Sequence, residues 1–258
     1  MSRQSSKKRI SVKTPEELQI MKQANQIVAG VLAMLRKEVV PGVTTNYLDK
    51  ISEEYCLDHG ATPAFKGYRG FPCSLCASVN EQVVHGIPSQ KVTLKEGDII
   101  SVDFGSYYKG FYGDSAVTLP VGNISPELDR LLEVTKVALN KGIEQVLVGN
   151  RISDISRAVQ TYAEANGFSV VRQFVGHGIG SELHEAPEIP NYVQKMPSPR
   201  LLAGMVLAIE PMVNMGTEKV RILRDQWTVV TEDSKPSAHF EHTVAVTDNG
   251  PLILSTLD

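Results

Sequence analysis

The stretch Gly97-Asp98-Ile99-Ile100-Ser101-Val102-Asp103-Phe104-Gly105-Ser106-Tyr107-Tyr108-Lys109-Gly110-Phe111-Tyr112-Gly113-Asp114-Ser115-Ala116-Val117-Thr118-Leu119 decides the fold class. Strand formers run from Ile99 to Tyr107, Lys109-Gly110 is a two-residue turn signal, and extended character resumes from Tyr112 to Leu119, which predicts a β-hairpin. With that turn, Tyr108 pairs with Phe111 and Gly105 with Asp114. Asp103 then lies two residues from Gly105 on the same face, so Asp103 and Asp114 occupy diagonal cross-strand positions within reach of one ion.

Outward from the hairpin, helix signals occur in duplicate. Thr14-Pro15-Glu16-Glu17 places a hydroxyl at the N-cap, proline at the first helical position and glutamate at the third; Ser125-Pro126-Glu127 repeats the start. A second helix follows each time, after Pro41-Gly42 and after Gly149-Asn150. The intervals Gly42 to Gly60 and Gly149 to Gly167 are both 18 residues. Further on, His85-Gly86-Ile87 is echoed by His177-Gly178-Ile179, the run from Gly97 to Asp103 by that from Gly204 to Glu210, and the strand from Asp114 by the one from Glu241. The order helix, helix, histidine, acid, acid therefore occurs twice, which predicts two similar halves, about 12–120 and 121–258, around a pseudo-twofold axis. Strands late in each half, with helices over the other face, make the fold class α+β.

The 258 residues, 42% hydrophobic, suffice for one large domain. Lys and Arg number 26 against 29 Asp and Glu, a formal charge of −3 without long single-sign blocks, so neither DNA nor a membrane is indicated as a partner. The longest apolar run, Ile27 to Leu35, is far short of the roughly 18 residues of a membrane span. Residues 1–11 read as a flexible polar tail rather than a secretory signal, and three cysteines fit a reducing compartment, so a cytoplasmic location is expected. Lys7-Lys8-Arg9 reads as a solvated part of that tail, with ribosomal RNA as the alternative contact. Cys73-Ser74-Leu75-Cys76 lacks the second pair a zinc ribbon needs, and no phosphate loop, His-Glu-x-x-His helix or nucleophile elbow is present.

The chemistry lies in acids set among apolar strand residues. Asp103, Asp114, Glu210 after Val206-Leu207-Ala208-Ile209, and Glu241 between Phe240 and a Thr-Val-Ala-Val run are costly as carboxylates unless paired or metal-bound. With His177 in Gly176-His177-Gly178-Ile179-Gly180, four carboxylates and one imidazole suit two divalent cations bridged by shared carboxylates.

From about Ile10 onward the chain resembles the type I methionine aminopeptidases of the pita-bread (creatinase/aminopeptidase) fold. The match is carried by Cys76-Ala77-Ser78-Val79-Asn80-Glu81 leading to His85-Gly86-Ile87-Pro88, by Asp103 and Tyr112-Gly113-Asp114, by Gly176 to Gly180, and by His184-Glu185-Ala186-Pro187. Ile209-Glu210-Pro211 and His239-Phe240-Glu241-His242-Thr243 complete it. The resemblance implies metal-dependent removal of the initiator methionine from nascent chains when the second residue is small. It implies Asp103 on one ion, Asp114 and Glu241 bridging, and His177 and Glu210 completing the other. It also implies His184 at the scissile carbonyl, His85 at the amide side, and Glu210 as proton shuttle. The metal is left open among Co²⁺, Mn²⁺, Fe²⁺ and Zn²⁺, and the family is usually monomeric. Phe65, Tyr68, Phe71, Cys76, Leu183 and Trp227 correspond to the methionine pocket. The family commonly carries tyrosine where Phe71 stands and a bulkier residue at Leu183.

Two alternatives stand beside this reading. A prolidase or Xaa-Pro aminopeptidase shares the metal core but usually has a large N-terminal domain, and few residues precede Thr14 here. A non-catalytic pita-bread binding protein is expected to have lost ligands. Glu210 and Glu241 are 31 residues apart, too close for the helical insertion of type II enzymes.

Overall fold

A computed structural model describes residues 10–257. The predicted tail lies outside the described residues apart from Ile10 and Ser11, and Ile10 is half-buried against the main core, so packing starts before residue 12. The first half contains α1 (Pro15–Glu38), α2 (Thr45–Asp58), β1 (Thr62–Pro63), a 3₁₀ turn at Tyr68–Gly70, β2 (Leu75–Val79), β3 (Gln82–Val84), β4 (Ile99–Tyr108) and β5 (Phe111–Pro120). The second contains α3 (Pro126–Ile143), α4 (Ile152–Ala165), β6 (Ser169–Val170), β7 (Gly176–Gly178), β8 (Glu185–Ile189), β9 (Val206–Ile209) and β10 (Met212–Asn214). It continues with β11 (Val220–Ile222), β12 (Val229–Thr231), β13 (Ser237–His239), β14 (His242–Thr247) and β15 (Gly250–Ile253).

Local signals act as the sequence dictates. Glu17 N–H donates to the Thr14 hydroxyl while Thr14 N–H donates to the Glu17 carboxylate, and Leu128 N–H donates to Ser125. Between β4 and β5, Lys109 (φ 47°) and Gly110 (φ 90°) form a two-residue turn with both central residues left-handed. Tyr108 pairs with Phe111 and Gly105 with Asp114, as predicted. α1 turns Met21, Ala24, Val28, Val31 and Leu35 inward and packs across β4 and β5. At Gly30 the ring of Tyr55 from α2 approaches so closely that no Cβ fits.

The pseudo-twofold is written in backbone hydrogen bonds. Gly42 N–H to Leu94 O (2.8 Å) and Leu94 N–H to Val43 O (2.8 Å) recur as Gly149 to Leu201 (3.0 Å) and Leu201 to Asn150 (2.7 Å). Gly97 N–H to Val121 O (3.0 Å) recurs as Gly204 N–H to Val246 O (2.9 Å). The sheet built on β2, β4 and β5 thus corresponds to the one built on β7, β9 and β14.

Register corrects two of the sequence echoes. Ser101 pairs with Ser78 on β2, and its counterpart Ala208 pairs with His177, so His177 stands where Ser78 stands. His85 and His184, each seven residues further on, are the matching pair of histidines. Similarly, Asp103 pairs with Ala116, and the β9–β14 ladder extended by one residue sets Glu210 opposite Glu241. Glu241 therefore matches Ala116, and Asp114, opposite Gly105, matches His239, opposite Met212. The sequence echo of Asp114 with Glu241 is displaced by two residues. Strand side chains alternate with period two, so that displacement leaves both acids facing the same centre.

A buried ion pair ties the entrance of α1 to the second half. Lys13 Nζ lies 2.6 Å from Glu185 Oε2, with side chains only 3% and 9% exposed, and Lys13 N–H donates to Gly204 O (2.7 Å). Lys13→Met strands the Glu185 carboxylate, a loss of about 3–5 kcal/mol. The expected fall in Tm is about 10 °C, with part of it recovered in the Lys13→Met/Glu185→Met double variant. Calorimetry checks this, and an unchanged Tm in the single variant contradicts it.

Candidate metal centre

All thirteen predicted site residues line one cavity of about 130 Å³: Phe65, Tyr68, Phe71, Cys76, His85, Asp103, Asp114, His177, Leu183, His184, Glu210, Trp227 and Glu241. Asp103 comes from β4, Asp114 from β5 and His177 from β7, while Glu210 follows β9 and Glu241 sits between β13 and β14. The cavity lies where the two halves meet, so neither half alone assembles it. A larger open cleft of about 740 Å³ between α1 and α3 is lined by none of the thirteen.

Ligand atoms of Asp114, His177 and Glu241 all lie within 4.8 Å of one another. His177 Nε2 is 3.5 Å from Glu210 Oε1 and 4.0 Å from Asp114 Oδ2, and His177 Nδ1 meets its neighbour's carbonyl, Gly178 O, at 3.0 Å. Asp103 Oδ1, Asp114 Oδ1 and Glu241 Oε1 are buried without a hydrogen-bond partner. Buried polar atoms are nearly always satisfied. Oxygens left bare in one cluster, with an imidazole beside them, fit divalent cations that take oxygen and nitrogen donors.

Electrostatics point the same way. Burial pushes the Asp103 and Glu210 carboxyls up to about 7, and burial followed by the neighbouring carboxylates raises Asp114 and Glu241 well above the usual range. Because these folded-state values exceed the unfolded ones, the metal-free protein has its full share of stability from these groups below about pH 4. It loses that share as the pH climbs through 7, by up to about 1.4 kcal/mol per unit per group. The chelated protein should therefore melt at a lower temperature at pH 8 than at pH 5, and added Co²⁺ or Mn²⁺ should raise Tm more at pH 8. Scanning fluorimetry reads this directly; a chelated protein that melts higher at pH 8 would contradict it.

The remaining residues form the walls. Phe71 and Trp227 meet edge to face with centroids 5.2 Å apart, and Trp227 also meets His85 at 6.2 Å. His184 stacks on Tyr68, whose hydroxyl lies 2.9 Å from His184 Nδ1, and its ring is 4.2 Å from that of His177. Burial lowers His85 to about 4, so that ring is neutral. Its φ of 58° lies in the left-handed region, and at the following Gly86 a Cβ would run into the Ala77 carbonyl. The segment leaving β3 is thus packed closely against β2 at Ala77.

Two cavity or centre residues carried no sequence assignment. Arg69, with φ 50° and its guanidinium 5.3 Å from the Tyr68 ring centroid, lines the cavity. His239 is buried, with Nε2 3.6 Å from Glu210 Oε2. Its alternation with Glu241 along one strand face was the available signal.

Comparison with known proteins places this geometry. Residues 19–248 match the model of metallopeptidase family M24, and the chain belongs to that family. Within the family its similarity is to methionine aminopeptidases: it is 54% identical over 248 residues to the methionine aminopeptidase of Clostridium perfringens, covering 96% of this chain and 99% of that one. The crystal structure of methionine aminopeptidase from Thermotoga maritima superposes with a TM-score of 0.95 at 45% identity, covering 96% of this chain and all of that one. An Xaa-Pro dipeptidase from Bacillus anthracis shares the pita-bread fold at TM-score 0.77 but only 23% identity, covering 96% of this chain and 62% of that one.

Proposed function

We propose that this metallo-exopeptidase removes N-terminal methionine from nascent proteins and peptides whose second residue is small, using two divalent ions held by Asp103, Asp114, His177, Glu210 and Glu241. The observation that carries the reading is the convergence of a carboxylate-imidazole cluster and an aromatic, sulfur-lined pocket in one cavity. Family membership and high identity to methionine aminopeptidases favour it over Xaa-Pro hydrolysis and over a non-catalytic binding role.

Bound divalent ions supply a Lewis acid for the scissile carbonyl and bring the pKa of water near neutrality. Glu210 accepts a proton from the attacking water and returns it to the leaving amine. When the Tyr68 hydroxyl donates to His184 Nδ1, the His184 proton sits on Nε2, where it stabilises charge developing on the carbonyl oxygen. His85 contacts the scissile amide side. Phe65, Tyr68, Phe71, Cys76, Leu183 and Trp227 enclose the methionine thioether, an unbranched and polarizable group suited to such walls.

Residues 12–258 act as a single catalytic domain in this reading, working as a monomer on nascent N-termini in the cytoplasm. Support comes from the unpaired state of Cys56, Cys73 and Cys76 and from the shared core of the two halves. Among the described residues no helix is long and apolar enough to cross a membrane. The basic Lys7-Lys8-Arg9 lies outside the described residues, and contact with the ribosome is proposed only as the place where such substrates arise.

The role of His184 is tested by His184→Ala. Its kcat should fall about 10²- to 10³-fold, while the stoichiometry of bound Co²⁺ stays that of the parent protein. A drop in stoichiometry would move His184 among the metal ligands instead.

A further inference from the structure

We propose that His239 is a positioning residue for the metal centre: its imidazole N–H holds the Oε2 oxygen of Glu210, leaving Oε1 to face the ion beside His177. This rests on the assignment of Glu210 to the centre.

The backbone of His239 is clamped from both directions. Its N–H donates to Thr118 Oγ1 (2.8 Å), and its carbonyl accepts from the same hydroxyl (2.9 Å), which also meets Ser101 Oγ at 2.8 Å. The clamp and the pairing with Met212 hold the strand so that the side chain lies against Glu210. There it is 1% exposed, and neither ring nitrogen has a hydrogen-bond partner. A buried imidazole carries at least one N–H in either tautomer, and a bare one is a group awaiting an acceptor.

Glu210 supplies that acceptor. Its carboxyl lies between two imidazoles, with Oε1 3.5 Å from His177 Nε2 and Oε2 3.6 Å from His239 Nε2. A shift of roughly 0.5 Å would bring the second pair to hydrogen-bond length. Register gives an independent reason for the location: His239 stands where Asp114 stands in the other half, a position whose side chain faces the centre. A hydrogen-bonded carboxylate ligand is held in one orientation, and losing such an outer partner commonly costs about 10- to 100-fold in metal affinity or activity.

The test compares His239→Gln and His239→Leu with the parent protein by titrating Co²⁺ into chelated protein, by the Co²⁺ absorption spectrum, and by kcat and KM for a Met-Ala peptide. Glutamine keeps an N–H donor on a similar reach; leucine keeps the volume alone. The expected result is Co²⁺ affinity and kcat about 10-fold or more lower in His239→Leu, with KM and Tm little changed and an altered spectrum. His239→Gln should stay within a few-fold of the parent. Parent-like Co²⁺ affinity and spectrum in His239→Leu would overturn the proposal. So would a His239→Gln variant as impaired as His239→Leu, since that marks direct ligation or a shape requirement. Co²⁺ affinity needs no turnover, so a parent protein that binds Co²⁺ yet releases no methionine would count against the peptidase reading and leave the affinity comparison decisive for His239.

Discussion

Glu210→Gln should keep the fold and lower kcat by on the order of 10³-fold or more, because it removes two functions at one atom group. The amide cannot take a proton from water, and it is a weaker, uncharged ligand beside His177. Folding is expected to survive because burial already disfavours the Glu210 charge in the metal-free protein, its carboxyl being raised to about 7. The neutral amide avoids that penalty, so the chelated variant should melt no lower than the chelated parent at pH 8. Stopped-flow turnover at saturating metal separates lost chemistry from lost metal. Near-parent kcat under those conditions would remove Glu210 from the proton path.

The second large effect concerns the substrate. With methionine enclosed by Phe65, Tyr68, Phe71, Cys76, Leu183 and Trp227, and its amine at the acid cluster, the next side chain must fit among the remaining walls of the same cavity, which include Arg69 and His184. That space is small, about 130 Å³ for the whole cavity, and its aromatic walls are pinned by stacking and by the Tyr68–His184 hydrogen bond. Overfilling a packed site forces walls off their preferred geometry. From Met-Gly, Met-Ala and Met-Ser peptides to Met-Leu and Met-Lys, kcat/KM should fall on the order of 10³-fold, since each excess methylene costs roughly 1–3 kcal/mol of productive binding. A peptide series read by mass spectrometry gives the profile. Equal cleavage of Met-Ala and Met-Lys would remove the steric account of selectivity.

Much of the fold was legible because its signals are local. Thr14 and Ser125 announce their helices by capping, and Lys109-Gly110 sets the hairpin register that places Asp103 diagonal to Asp114. The acids stood out as charge inside apolar strands. What was not legible depends on distant partners. β1, β6, β7, β10, β11, β12 and β13 are two or three residues long, too short for a period to show, and most of them are defined by strands far away in sequence, β1 by β4, β6 by β10, β7 by β9 and β12 by β3. The equivalence of His85 with His184, rather than with His177, emerges only from pairing of β2 with β4 and β7 with β9. His239 carried no role in the sequence, beyond its alternation with Glu241, until the fold set it against Glu210.

The most direct measurement of the central claim is release of free methionine from a Met-Ala-Ser peptide by protein stripped with chelator and then reloaded with Co²⁺, Mn²⁺, Fe²⁺ or Zn²⁺ in turn. The stripped protein should release none, and at least one ion should restore release of methionine alone, saturating at two equivalents per chain. Methionine release unaffected by chelation, or metal-dependent cleavage of Xaa-Pro peptides with no requirement for methionine, would contradict the account.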